Sequence, residues 1–104
     1  MEFRWLGDLG LVKLKRASAE GVRDQMSDED LAVEAAQLGL WASRRDSYLC
    51  VLTGPHVVER VERYRLVVSA RDNVVRCLRA HATDALVARL RREAGVDVVA
   101  FSDS

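Results

Sequence analysis

Proline, cysteine and histidine are scarce in this chain of 104 residues. The two cysteines, Cys50 and Cys77, lie inside apolar runs, so they are expected to be buried thiols in a reducing compartment and not a disulfide framework. The two histidines, His56 and His81, have no second histidine or cysteine at ligand spacing. We therefore predict no metal site.

A charge of one sign is also missing, because 16 basic and 16 acidic side chains give a formal net charge of zero. A dedicated nucleic-acid-binding domain usually carries a basic excess, so this balance argues against one. No apolar run is long enough to span a membrane, and charged side chains interrupt the N-terminal region where a signal peptide would be apolar. The expected location is the cytoplasm.

Apolar residues make up 49% of the chain, enough to form a core in a protein of this length. Residues 1–104 are therefore predicted to form a single domain. Fourteen of the 16 basic residues are arginine, spread along the whole chain as expected for a bacterial GC-rich composition. This bias alone identifies no site.

Catalytic motifs are missing as well: there is no nucleophile elbow, phosphate-binding loop, dinucleotide fingerprint or zinc-protease motif. Cys50 or Cys77 with His81 would be a candidate thiolate pair, but a buried apolar environment raises the pKa of a thiol and makes it less reactive. We predict no catalytic residues and no cofactor. An enzyme or small-molecule binder with an unfamiliar site is kept as the weakest alternative.

A helix over residues 28–44 is the best-defined element. Ser27 is a typical N-cap, and Asp28, Glu29 and Asp30 suit the positive end of the helix dipole. Met26 and Leu31 would complete a hydrophobic staple across this cap.

The other predicted elements are shorter. Residues 3–6 and 11–16 are expected to form a hairpin, and residues 48–52 a buried central strand. Residues 56–63 fit a helix opened by Pro55 or an alternating strand, and the strand is slightly favoured. The remaining predictions are strands 64–70 and 74–81 joined by a tight turn at Asp72-Asn73, a helix 84–94 capped by Thr83 and ended by Gly95, and a closing strand 96–101.

This order predicts an α+β domain: a largely antiparallel sheet with two helices packed on one face, with a relation to the ferredoxin-like plan. In the tight hairpin, residue 70 would pair with residue 75, Val68 with Cys77, and Tyr64 with His81.

One aromatic residue falls in an unexpected position on the long helix. A helical wheel with Leu31, Ala35, Leu38 and Ala42 in the core puts Trp41 among polar residues. Because tryptophan is a frequent anchor of protein interfaces, we predict a protein-binding surface here. A loop or the N-terminal hairpin folding over Trp41 is the alternative. The predicted interface consists of Trp41, Gln37, Arg44, Arg45 and Glu34.

A second candidate surface follows from the predicted hairpin, which would gather several arginines on one face. It is either a solvated sheet face or a site for an anion or nucleic acid. Its predicted members are Arg63, Arg65, Arg71 and Arg76.

These observations favour a small non-catalytic protein-interaction module, such as an inhibitor, an immunity-type or antitoxin-type protein, or an accessory subunit. Its expected partner is another protein or a second copy of the chain, with no membrane or metal involved. The alternative is a nucleic-acid or anion-binding regulatory protein that uses the arginine face.

Overall fold

The computed structural model of the chain describes residues 2–4, 25–44 and 55–102. The predicted strands at 11–16 and 48–52 lie outside these residues. The described part is α+β, with four strands and three helices. In chain order the elements are β1 (Glu2–Arg4), α1 (Asp28–Arg44), α2 (Pro55–Glu62), β2 (Val67–Ser69), β3 (Val74–Leu78), a 3₁₀ turn (Arg79–His81), α3 (Asp84–Arg89), a π-helical segment (Leu90–Ala94) and β4 (Asp97–Phe101).

The four strands form one mixed sheet in the order β1-β2-β3-β4. β1 pairs antiparallel with β2 and β2 with β3, whereas β4 lies parallel to β3. The sheet is therefore mixed, and the prediction of a largely antiparallel sheet is corrected for β4. The segment with α3 returns the chain to the end of the sheet where β3 begins, so β4 runs in the same direction as β3. β3 and β4 are direct neighbours, so a relation to the ferredoxin-like plan, with its split βαβ unit, is not confirmed.

The helices differ from the prediction in number. The predicted pair was 28–44 and 84–94, and the structure adds α2, so the slight preference for a strand at 56–63 was wrong. Pro55 is its first helical residue, where a missing N–H costs no helical hydrogen bond, and Val57 and Val61 are fully buried one turn apart. The spacing of four residues between Val57 and Val61 suits burial on one side of a helix, and this was a better guide than the alternating pattern that had favoured a strand.

The connection between β2 and β3 is longer than the predicted tight turn. Ser69 pairs with Val74, so four residues, 70–73, form the loop and the register is shifted by two from the predicted one. Val68 accordingly faces Val75 and not Cys77. An even shift leaves the faces unchanged, so Val68, Val75 and Cys77 all remain buried.

The core is formed by side chains of the helices and of the sheet. Each helix contributes fully or almost fully buried side chains to it, as do β2 and β3. The largest of these side chains are Leu31, Leu66, Leu86, Leu90, Val57, Val61, Val68 and Val75.

Both predicted helix caps are confirmed. Ser27 Oγ accepts a hydrogen bond from the Asp30 backbone N–H (3.1 Å), and Thr83 Oγ1 accepts one from the Leu86 N–H (3.2 Å). Gly95 ends the second of these helices in the left-handed conformation (φ 67°). The π-helical segment before Gly95 was not predicted.

Candidate protein interface on helix α1

After its first turn, helix α1 is exposed along one narrow stripe. From residue 31 to residue 43, every residue outside this stripe is buried. The exposed and half-buried positions repeat at intervals of three and four residues, which keeps them on one side of the helix. We call them the Trp41 stripe: Glu34, Gln37, Leu38, Trp41 and Arg44.

The predicted helical wheel is confirmed for Leu31, Ala35 and Ala42, which are buried, whereas Leu38 packs against the core but is only half-buried. The buried surface of α1 is wider than one amphipathic face because α1 contacts the sheet, α2, α3 and the π-helical segment. Its small buried residues, including Ala32 and Ala36, allow these elements to approach closely. The helical wheel predicted only one buried side and not these contacts with several elements.

Trp41 itself is half-buried and packs against the edge of the core. Part of its surface is thus held by the chain's own core, and the rest is open to solvent. An aromatic side chain fixed in this way loses little conformational freedom when a partner covers it. This position suits an anchor residue.

Gln37 connects the stripe to the end of the π-helical segment. Its amide Nε2 donates a hydrogen bond to the backbone carbonyl of Glu93 (3.3 Å). The exposed surface therefore extends from α1 to the turn that precedes β4. No local pattern in the sequence joins these two positions, which are 56 residues apart.

Arg44 is held at the other end of the stripe. Its Nη2 donates to Asn73 Oδ1 (3.1 Å), while Asn73 Nδ2 donates to the carbonyl of Gly95 (2.8 Å). The Asn73 carbonyl accepts from the Asp97 N–H (3.0 Å), so one residue joins α1, the β2–β3 loop and the start of β4. Asn73 has a left-handed backbone (φ 56°), which asparagine tolerates better than most residues.

The first turn of α1 is fixed by an ionic cluster around Arg89 of α3. Arg89 donates to Glu93 (2.7 Å), to Asp30 and to Glu29 (3.3 Å). Hydrogen bonds from Arg89 hold the pKa of both Asp30 and Glu93 below its ordinary value. Glu29 and Asp30 belong to the first turn of α1, and Glu93 belongs to the π-helical segment that follows α3. Arg89 therefore connects α3 to the start of α1.

A second ion pair joins α1 to α2. Arg60 Nε lies 2.5 Å from Asp28 Oδ1, and its Nη2 donates to the Met26 carbonyl. The acidic residues at the start of α1 therefore have structural partners in addition to the helix dipole.

The other predicted site residues are dispersed. Arg45 lies outside the described residues. Arg63 follows α2 and pairs with Glu59 (3.7 Å). Arg65 lies between α2 and β2 and has a left-handed backbone (φ 48°). Arg71 is exposed in the β2–β3 loop. Arg76 lies on β3, opposite Val67 of β2 and Val99 of β4, on the face away from the core.

Tyr64 and His81 are neighbours as predicted, with ring centroids 5.3 Å apart. His81 belongs to the 3₁₀ turn and not to β3, so the contact forms beyond the end of the strand pair. Cys77 is buried, and burial raises the pKa of its thiol to about 11. At neutral pH this cysteine is protonated and a poor nucleophile.

Across the three described segments, no three His, Cys, Asp or Glu side chains are grouped in a way that could hold a metal ion. None of the helices in these segments combines the length and the apolar character needed to cross a bilayer. No known protein family, curated protein or solved structure matches the chain.

Proposed function

We propose that this chain is a small cytoplasmic protein-interaction module that acts by surface complementarity and has the Trp41 stripe as its contact surface. An inhibitor, an immunity-type or antitoxin-type protein, or an accessory subunit would act in this way. The observation that carries the proposal is the composition of the stripe: after the first turn of α1, the side of the helix that reaches solvent includes a half-buried tryptophan, a half-buried leucine and an exposed arginine. Tryptophan and arginine are among the residues most enriched at the centres of protein interfaces.

The contacts around the stripe support this function. Gln37 and Arg44 are each hydrogen-bonded to an element other than α1, so the two sides of the tryptophan are held in fixed positions. A contact surface organised before binding loses less entropy in the complex.

The decisive experiment is capture of partners from the host with tagged wild-type and Trp41→Ala protein, followed by affinity measurement with the recovered partner. Truncation of an anchor tryptophan typically costs about 2 kcal/mol or more, so we expect binding to weaken roughly 30-fold or more. Val99→Ala is the matched control, because Val99 is an apolar residue with 44% of its surface exposed and belongs to β4 and not to the stripe.

Because Trp41 also packs against the core, Trp41→Ala will lower stability to some extent. Gln37→Arg changes an exposed residue of the same stripe and serves as a second variant that is expected to remain folded. Full-affinity binding by both variants, with the fold confirmed by circular dichroism, would eliminate the stripe as the contact surface.

Anion or nucleic-acid binding through the outer face of the sheet is the second candidate. The strand register puts Arg4, Val67, Arg76 and Val99 in one row across the four strands, so two arginine positions share this face. If this face binds phosphates, the affinity will fall steeply with salt, and Arg4→Glu with Arg76→Glu will abolish it. Salt-independent partner binding that survives this double substitution favours the Trp41 stripe.

A further inference from the structure

Strand β4 lies at one edge of the sheet in the part of the chain that the structure describes, because the strand order is β1-β2-β3-β4. The Asp97 N–H donates to the Asn73 carbonyl (3.0 Å), so the backbone groups of Asp97 point toward β3. Backbone groups alternate in direction along a strand, and those of Val99 therefore also point toward β3. The N–H and C=O groups of Val98 and Ala100 point the other way, toward the open edge.

This edge has little of the protection that edge strands usually carry. β4 contains no proline or lysine, and its only charged residue is Asp97 at its start. Asp97 Oδ1 accepts a hydrogen bond from the Val98 N–H (3.0 Å) and so occupies one edge-facing donor. Within the described segments, no hydrogen bond occupies the Val98 carbonyl or the N–H and carbonyl of Ala100. Main-chain groups presented in this way are complementary to another extended backbone.

The side chains of β4 also favour a neighbouring strand. In the described segments Val99 is the large apolar side chain most open to solvent, with 44% of its surface exposed. Phe101, two residues further on, lies on the same face and is half-buried. β-Branched and aromatic side chains stabilise a sheet when they pair across adjacent strands. A strand added beside β4 would cover the open side of Val99.

The sequence of β4 is complementary to itself when the strand is reversed. If two copies lie antiparallel about a two-fold axis at Val99, Val98 of each copy lies opposite Ala100 of the other. Both residues point their backbone groups at the partner, as a hydrogen-bonded antiparallel pair requires. The two Asp97 carboxylates are then about 13 Å apart along the strands, whereas a parallel in-register pair would place them side by side.

From this geometry we propose that a second copy of the chain docks on β4, so that two sheets join into one through antiparallel β4 strands. The inference concerns a surface other than the Trp41 stripe and does not rest on the proposed function. Each Ala100 N–H donates to the Val98 carbonyl of the other copy without any rearrangement. Two further hydrogen bonds form when Asp97 releases the Val98 N–H. The axis repeats every contact, as in any isologous interface.

The short length of β4 sets the expected strength. Five residues extend about 17 Å, and a contact of this length buries less surface than a stable interface of standard size. The dimer is therefore weak, with a dissociation constant on the order of 100 μM. The formal net charge of zero means that no long-range repulsion opposes self-association. Sedimentation equilibrium of the whole chain over a wide range of concentrations measures the dimer directly.

Val99 provides the sharpest test, because the axis places it opposite its own copy. Val99→Lys alone or Val99→Glu alone puts like charges face to face and is expected to weaken dimerisation by about tenfold. An equimolar mixture of the two variants brings opposite charges together and is expected to return to within about threefold of wild type. Ala88→Lys and Ala88→Glu are the matched controls at an exposed residue of α3, and they are expected to leave the dimer unchanged.

The backbone contact is tested at Ala100. Ala100→Pro removes an edge-facing N–H and no hydrogen bond to β3, so the fold is expected to persist while dimerisation weakens by about tenfold or more. Ala100→Ser keeps the N–H and is the matched control. In the wild-type chain, hydrogen exchange at the Ala100 amide should slow as the concentration rises. The Val99 amide, bonded to β3, should be protected at every concentration.

A wild-type chain that remains monomeric up to millimolar concentration overturns the inference. A dimer that both Val99→Lys and Ala100→Pro leave at full strength also overturns it, because the copies would then meet at another surface. The same holds for a mixture of Val99→Lys and Val99→Glu that fails to recover, since a two-fold axis at Val99 requires the recovery. If Ala100→Pro does not fold, the mixture and the exchange of the Ala100 amide still decide.

Discussion

Arg89 and Asp30, 59 residues apart in the sequence, are joined by a hydrogen-bonded ion pair that links α3 to the first turn of α1. The Arg89 side chain is only 25% exposed and also contacts Glu29 and Glu93. A single cation thus contacts carboxylates from two elements. The contact adds a charged link between α3 and α1 to their apolar packing in the core.

Arg89→Met is therefore expected to lower the free energy of unfolding, because it removes the cation that contacts Glu29, Asp30 and Glu93 while keeping most of the aliphatic stem. Urea denaturation followed by circular dichroism measures this loss. Arg92→Met is the matched control: its side chain is 72% exposed and lies 3.6 Å from Glu93, so it should change stability very little. Equal effects of the two substitutions would show that the cluster has no special role.

The same cluster makes stability depend on pH in the acid range. The pKa values of Asp30 and Glu93 are depressed in the folded chain below their ordinary values of 3.8 and 4.5. The unfolded chain thus takes up these protons first as the pH falls. Their contribution is complete above the ordinary values and is lost as the pH falls through the folded ones. Urea midpoints measured between roughly pH 6 and pH 2 should fall more steeply for wild type than for Arg89→Met. If the urea midpoints of the two proteins fall equally steeply with pH, the contacts of Arg89 are not the cause of the pH dependence.

Asn73 is expected to be sensitive to substitution for two separable reasons. Asn73→Gly keeps the left-handed backbone but loses the side-chain hydrogen bonds to Arg44 and Gly95, at a cost of about 1 kcal/mol. Asn73→Ala loses the same bonds and adds backbone strain, so it should cost about a further 1 kcal/mol. Thermal unfolding of both variants measures the difference. If alanine is as well tolerated as glycine, the backbone at this position is not left-handed in solution.

Ser27→Ala should destabilise the chain by about 1 kcal/mol because it removes the acceptor for the Asp30 N–H at the start of α1. Ser102→Ala, at an exposed position after β4, is the control for loss of a serine hydroxyl. Calorimetric melting of the two variants is sufficient for the comparison. A Ser27→Ala protein as stable as the control would contradict the cap.

The features that the sequence predicted correctly are determined by neighbouring residues. The N-cap at Ser27, the cap at Thr83 and the left-handed glycine at Gly95 each depend on a few adjacent positions and appear where expected. Four of the five predicted interface residues, all except Arg45, lie on one exposed stripe, because helical periodicity alone brings them together.

The features that were missed depend on residues distant in the sequence. The contact between Arg44 and Asn73 and the parallel pairing of β4 with β3 follow from how the elements pack, which local patterns do not encode. For the β2–β3 hairpin, the sequence indicated a turn near Asp72-Asn73 but not its length. In the structure the loop is residues 70–73, and Ser69 Oγ donates a hydrogen bond across it to Asp72 (3.0 Å). The register is shifted by two, and the predicted arginine face is dispersed for a separate reason: Arg63, Arg65 and Arg71 lie outside the strands.

The π-helical segment Leu90–Ala94 bears on how the chain tolerates a change in its length. A π-helical turn contains one residue more than the α-helical turn that would join the same two ends. Deletion of one residue here can be absorbed by return to a regular α-helix, with Gly95 and β4 kept in place. The same deletion within β4 would exchange its two faces and turn Val98 away from the core. Homologous chains that differ by one residue in this region should therefore have gained or lost it between Leu90 and Ala94.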